Sequence, residues 1–227
     1  ATMPMISRRW LIVATVLSCC CLGAAGKVFS QSDTTSAERQ ETLKLAVIGA
    51  SASAGFGIMV EIVKESPAES DDTVTSDVPA SPRTVKRMIK LIDLIDAADQ
   101  EDGLIQLDLS SHLFFTRPFK FGRSSVDRAL SWKPDLVFAV DFLFWYVYGT
   151  QPEETRIKTL ETGLKELDRL ARTGVPMAIG TVPDLDGVDS FVLMESQIPE
   201  TETVKDVNLR IEEWADEREN VVVVPLF

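Results

Sequence analysis

Two serines set among residues too small to shield them are the chain's most suggestive chemistry. Ser51 and Ser53 lie in Gly49-Ala-Ser-Ala-Ser-Ala-Gly-Phe-Gly57. The apolar run Leu45–Ile48 before them has strand length and β-branched content, and Ile58-Met-Val-Glu-Ile-Val63 after them reads as the start of an apolar helix. A strand, a tight turn and a helix are how an α/β sheet presents backbone N–H groups at a helix N-terminus. Such a turn binds an anion, or it exposes a serine hydroxyl at the sheet edge.

Other turns of small residues are weighed against this pattern. A phosphate-binding P-loop needs Lys-Ser/Thr after its closing glycine, and none is present. A short-chain dehydrogenase loop has its first two glycines four residues apart and a later Tyr-x-x-x-Lys. Here Gly49 and Gly55 are six apart, and no such pair follows. A purely structural turn that needs small residues for close packing stays open.

The elements that must position this turn can be read along the chain. Val85, Met88, Ile89, Ile92 and Ile95 recur at helical spacing, and Leu104–Leu109 alternates as a strand does. A helix is expected within Phe121–Leu130, then a buried strand over Asp135–Val140 introduced by Lys133-Pro134. Glu153–Arg172 reads as a long helix with Leu160, Leu164, Leu167 and Ala171 on one face, closed by Gly174. Val175–Val182 is the next strand, Val204–Arg218 a helix and Val221–Val224 a last strand. Strands alternating with helices imply an α/β fold: a three-layer, doubly wound parallel sheet.

The turn resembles the first block of the SGNH (GDSL-type) hydrolases, Gly-Asp-Ser followed by Gly-aromatic-Gly, with Ala50 where that family usually has aspartate. The resemblance implies a flavodoxin-like sheet, an ester- or acetyl-cleaving activity through an acyl-enzyme, and Ser51 as the nucleophile. Phe121-Gly-Arg-Ser-Ser-Val-Asp-Arg-Ala-Leu130 is similar to the second block, which makes Gly122 the partner of the Ser51 N–H in an oxyanion hole. Trp132-Lys-Pro-Asp-Leu-Val137 is similar to the segment before the third block, Gly-x-Asn-Asp. The asparagine of that block donates to the oxyanion, and Leu143 falls in its place. Losing one such donor typically costs about 10²–10³ in rate. Gly180-Thr-Val-Pro-Asp-Leu185 and Asn208 resemble non-catalytic features of the family. The fifth block, Asp-x-x-His, would supply the acid and base after the last strand, and is expected beyond Phe227.

His112, in Ser110-Ser-His-Leu-Phe114, is the chain's only histidine. It precedes the second block, so the resemblance gives it no role, and a loop or core-edge histidine is the favoured reading. Phe142-Leu-Phe-Trp-Tyr-Val-Tyr148 is the most aromatic stretch. Phe142, Leu143 and Trp145 are its candidates for an apolar pocket wall, with a hydrophobic cap over the sheet as the alternative. Asp141 reads as a strand-end turn acid.

Charge and composition limit the partners. With 35 acidic and 23 basic residues among 227, the net charge of −12 argues against nucleic acid or an anionic membrane surface. The resemblance implies a small-molecule or carbohydrate ester as the partner. Arg8-Arg9, the apolar run from Trp10 and the small residues Gly23–Gly26 have the form of a signal peptide over residues 1–26. Secreted or periplasmic localisation follows, with no membrane contact after cleavage. A retained N-terminal membrane anchor is the alternative. All three cysteines, Cys19–Cys21, lie in that segment, so the mature chain would hold none. With one histidine and no cysteine there is no metal site to expect, and the chemistry calls for no cofactor. Residues 27–42 read as a disordered lead-in, 43–227 as the SGNH-like domain, and 64–83 within it as an acidic loop.

Overall fold

The computed structural model describes residues 42–56, 59–64, 83–99, 103–187 and 193–226, with side chains at 59–64 and 83–85 excepted. The expected signal segment, the lead-in up to residue 41, Gly57 and nearly all of the acidic loop lie outside the described residues. The description concerns the unit Thr42–Phe227.

The strands are β1 (Leu43–Val47), β2 (Met59–Lys64), β3 (Arg83–Met88), β4 (Leu104–Asp108), β5 (Leu136–Ala139), β6 (Met177–Gly180) and β7 (Val221–Val224). The helices are α1 (Leu91–Ala98), α2 (Pro118–Trp132), the one-turn α3 (Phe144–Val147), α4 (Arg156–Ala171) and α5 (Thr201–Asp216). Five strands form a parallel sheet in the order β4-β1-β5-β6-β7. From β1 the chain steps one way to β4, and from there every crossover runs the other way. Right-handed crossovers therefore place α1 on one face and α2, α4 and α5 on the other. The result is the three-layer, doubly wound α/β fold expected from the alternation of elements.

The apolar positions explain the packing. Leu160, Leu164, Leu167 and Ala171 on α4 and Val207, Ile211 and Ala215 on α5 join Val137, Ala139, Met177 and Ile179 of the sheet in one buried cluster. Gly174, with φ of +78°, takes the left-handed conformation that ends α4. Among the described residues no helix is long and apolar enough to cross a membrane.

Two expectations need correction. Met59–Lys64 is a strand, not a helix, and it pairs antiparallel with Arg83–Met88, so Val85 and Met88 also sit in a strand. Helix α1 begins only at Leu91. The reason is local. Residues 50–54 already make one helical turn, closed by Phe56 N–H to Ser51 C=O (2.8 Å) and Gly55 N–H to Ala52 C=O (2.9 Å). This is the Schellman pattern, with Gly55 at φ +89° as its left-handed residue. The helix the sequence promises thus ends at Gly55, and the β-branched run after it is free to extend.

The second correction concerns Gly122. It lies buried inside α2, four positions after its proline start. Its N–H belongs to the helix ladder, so it has no donor to offer an oxyanion. Its small size is used for packing instead. A Cβ there would collide with the Tyr146 hydroxyl and come within 3.1 Å of Phe142. Tyr146 is fully buried, and its hydroxyl has no hydrogen-bond partner among the described residues. Burial, with the Glu166 carboxylate adding to it, holds that phenol far above its ordinary pKa. Tyr146→Phe should therefore raise the melting temperature, because it removes an unsatisfied hydroxyl worth about 1–3 kcal/mol. Gly122→Ala should lose about 1–3 kcal/mol to overpacking, despite the gain in helix propensity. Thermal denaturation of the double variant should show Gly122→Ala costing less in the Tyr146→Phe background.

Candidate active site

In an open parallel sheet, ligands bind outside the carboxyl ends of the strands where the strand order reverses. Here that point lies between β1 and β5. The chain leaves β1 into Gly49–Phe56 and leaves β5 into Val140-Asp141. Ser51 and Asp141 are thus delivered to one crevice by topology alone.

Asp141 organises the turn. Only 8% exposed, its carboxylate accepts the Ala50 N–H (2.9 Å), the Ser53 N–H (2.9 Å) and the Ser53 hydroxyl (2.6 Å). Gly49 must be glycine for this approach, since a Cβ there would overlap the Asp141 carboxylate and sit 2.6 Å from Ser53 Oγ. From the other side, Ser53 C=O accepts the Leu91 N–H (3.0 Å). A Cβ on Gly55 would meet the Ile89 carbonyl at 2.7 Å. The turn is clamped between β5 and the start of α1.

Ser51 is left free by this clamp. It is half-buried, and its Oγ accepts a long bond from Trp145 Nε1–H at 3.4 Å. The Ser51 N–H takes no acceptor among the described residues, consistent with a role as a donor to a ligand.

Trp145 belongs to α3, and the elements that fix α3 carried no signal in the sequence analysis. Arg156, 2% exposed, donates to the Val147 carbonyl and pairs with Glu153 at 2.5 Å. Gln151 donates to the same carbonyl (2.9 Å), and Thr159 donates to that of Tyr146 (2.5 Å). A buried cation at a helix C-terminus satisfies carbonyls that have no partner within the helix. Of the three pocket candidates, only Trp145 reaches Ser51. Phe142 and Leu143 are core side chains, 0% and 1% exposed. Leu143 packs against Gly163 of α4. Asn208 holds the loop after β6 through both of its side-chain amide groups, to the Val182 N–H (2.7 Å) and C=O (2.8 Å).

The loop after β4 adds the remaining wall. The β1–β4 register pairs Val47 with Asp108, and the ladder continues beyond both strands through Leu109 N–H to Val47 C=O (2.8 Å) and Ser111 N–H to Gly49 C=O (3.1 Å). His112 follows Ser111 in the loop that this last bond ties to the start of the Ser51 turn. His112 is half-buried, and no hydrogen bond or ion pair engages its ring among the described residues. Phe115 of this loop lies 5.6 Å from the Trp145 ring, centroid to centroid. Exposed Phe56, Leu113 and Phe115 give the rim an apolar surface.

The base of that loop is an ionic knot. Asp108 accepts from Lys90 Nζ (2.9 Å) and from the Ser110 hydroxyl (2.6 Å) and N–H (2.9 Å). Burial raises the Asp108 carboxyl, but the Ser110 bonds and the Lys90 ammonium outweigh it and hold the pKa below the ordinary 3.8. Among the described residues no cluster of three His, Cys, Asp or Glu could hold a metal ion.

No protein-family model matches this chain, and no match was found among the curated proteins or the solved structures.

Two outcomes follow from these contacts. Asp141→Asn replaces an acceptor of three donors with an amide that can accept only on one side, and should cost about 2–3 kcal/mol of stability, read by urea denaturation. Asp108 has a depressed folded pKa, so its contribution is complete at neutral pH and is lost as pH falls below the ordinary carboxylate range. Stability measured from pH 6 down to pH 2 should fall less steeply in Asp108→Asn than in the wild type.

Proposed function

We propose that this chain is an exported serine hydrolase of SGNH type that cleaves an ester or acetyl group of a small molecule or carbohydrate through an acyl-enzyme on Ser51. One observation carries the reading. At the switch point of the sheet, the turn is immobilised by Asp141 while the Ser51 hydroxyl stays out of the clamp, beside an N–H donor. A purely structural turn would have no need to hold one serine in the clamp and leave its neighbour out.

A serine hydroxyl needs a proton acceptor to attack a carbonyl. We assign that role to His112, whose loop is tied to the start of the Ser51 turn by the bond from Ser111 N–H to Gly49 C=O (3.1 Å). The Ser51 proton passes to the imidazole as Oγ bonds the carbonyl carbon, and the π electron pair moves to the carbonyl oxygen. Collapse breaks the bond to the leaving alcohol, which takes the proton from the imidazolium. Water then repeats the sequence on the acyl-enzyme and releases the acid.

A second reading is a binding module that keeps the fold without catalysis. Leu143, buried where the family has its asparagine donor, favours it.

A fluorophosphonate probe and short-chain p-nitrophenyl esters separate the two. Labelling and turnover should disappear in Ser51→Ala. In His112→Ala both should fall about 10²–10⁴-fold and return in part with added imidazole, a rescue that a structural histidine would not show. Equal labelling of wild type and Ser51→Ala would sink the nucleophile assignment. A folded wild type that is neither labelled nor active would leave the binding module.

A further inference from the structure

We propose that the indole N–H of Trp145 is an oxyanion donor of this site, in the role that an asparagine at position 143 would fill. The inference rests on Ser51 being the nucleophile. Trp145 Nε1 lies 3.4 Å from Ser51 Oγ, longer than the roughly 2.9–3.0 Å typical of N–H donors. When Oγ attacks a carbonyl, the oxygen that gains charge is bonded to the same carbon as Oγ. A donor slightly too far from Oγ is well placed for that second oxygen. The interaction then strengthens as charge develops, which is what distinguishes catalysis from ground-state binding.

The surroundings fit this role better than a packing role. Trp145 is 8% exposed, and its N–H has no other acceptor among the described residues. Buried indole N–H groups normally find a well-formed partner, and this one has only a long bond to a nucleophile. Its orientation is fixed before any substrate arrives. Phe144 meets the ring edge-on at 4.9 Å, Phe115 covers it at 5.6 Å, and Arg156, Gln151 and Thr159 hold the α3 carbonyls. A donor held this way needs no reorganisation at the moment of reaction. It also lies two residues beyond Leu143, on the same turn after β5.

The test uses phenylboronic acid, whose adduct needs no turnover. Ser51 Oγ bonds boron through a lone pair, the hydroxyl proton leaves to solvent, and the tetrahedral boronate carries the negative charge. Trp145→Phe keeps a ring and removes the donor. Its boronate affinity should fall at least tenfold, and kcat for ester cleavage should fall about 10²–10³-fold with little change in KM. If Trp145→Phe fails to fold, 3-benzothienylalanine at position 145 gives the same ring shape with sulfur in place of N–H. Binding and turnover within twofold of wild type in the donor-less protein, while Ser51→Ala loses both, would overturn the Trp145 role and leave Ser51 standing. A wild type that binds no boronate, or a Ser51→Ala variant that binds it equally, would remove the Ser51 reading and this inference together.

Discussion

Everything at the sheet edge depends on one buried carboxylate. Among the described residues no cation pairs with Asp141, and three hydrogen bonds from the β1 turn stand in for the water it has lost. Carboxylates bind N–H and O–H donors more strongly than neutral acceptors do. These three donors come from a segment more than eighty residues earlier in the chain. The contact therefore does for the turn what a loop's own residues cannot: it fixes the β1 exit relative to the β5 exit. The position of Ser51 follows, and the serine need make no strong bond of its own.

The second constraint comes from α3, a helix too short to stand alone. Four residues cannot satisfy their own carbonyls, and the side chains of Gln151, Arg156 and Thr159 do it for them. The aromatic side chains of Phe142–Tyr148 then interlock, with Phe144 stacked on Tyr148 at 4.2 Å and Phe142 against Tyr146 at 5.6 Å. The sequence places this stretch at the mouth of a cleft, and the structure turns most of it inward. Phe142, Leu143 and Tyr146 pack against α2 and α4, while Trp145 directs its indole N–H at Ser51 in the turn after β1.

The order of strands and helices was legible because it rests on periodicity and turn chemistry. Val221–Val224, the α4 leucine stripe and Gly174 need no tertiary information. The β2–β3 ribbon was not legible, because Ile58–Val63 and Val85–Ile95 carry apolar residues compatible with either period. A left-handed glycine, rather than propensity, decided between them. Gly122 was misread for a related reason. Its oxyanion role rested on resemblance to a block, and only a tyrosine from another element shows that the space itself is what is used. Ser51 was singled out by the resemblance of its turn, and the strand-then-turn pattern that puts it at the β1 exit is the pattern the structure has. Asp141 was noticed but given an ordinary role, since the donors that define it are distant in sequence. Arg156 gave no signal, for an arginine after Pro-Glu-Glu looks like a surface helix start. Only the neighbouring α3 carbonyls explain its burial.

A sequence that agrees with its fold at every level leaves few local conflicts, and those that remain tend to gather near function. Here they cluster on α3. Among the described residues the Tyr146 hydroxyl is buried without a partner, and one residue before it Trp145 makes only a long bond. The two conflicts differ in kind. The tyrosine hydroxyl faces Gly122 in the core, where no ligand can reach it, so relieving it should cost nothing but packing detail. The tryptophan N–H faces the crevice beside Ser51. A donor left under-used in the core serves nothing there, whereas one beside the Ser51 hydroxyl keeps its direction toward the crevice. That difference in direction, not the aromatic content of the stretch, separates the part of this helix that serves the core from the part that faces the crevice.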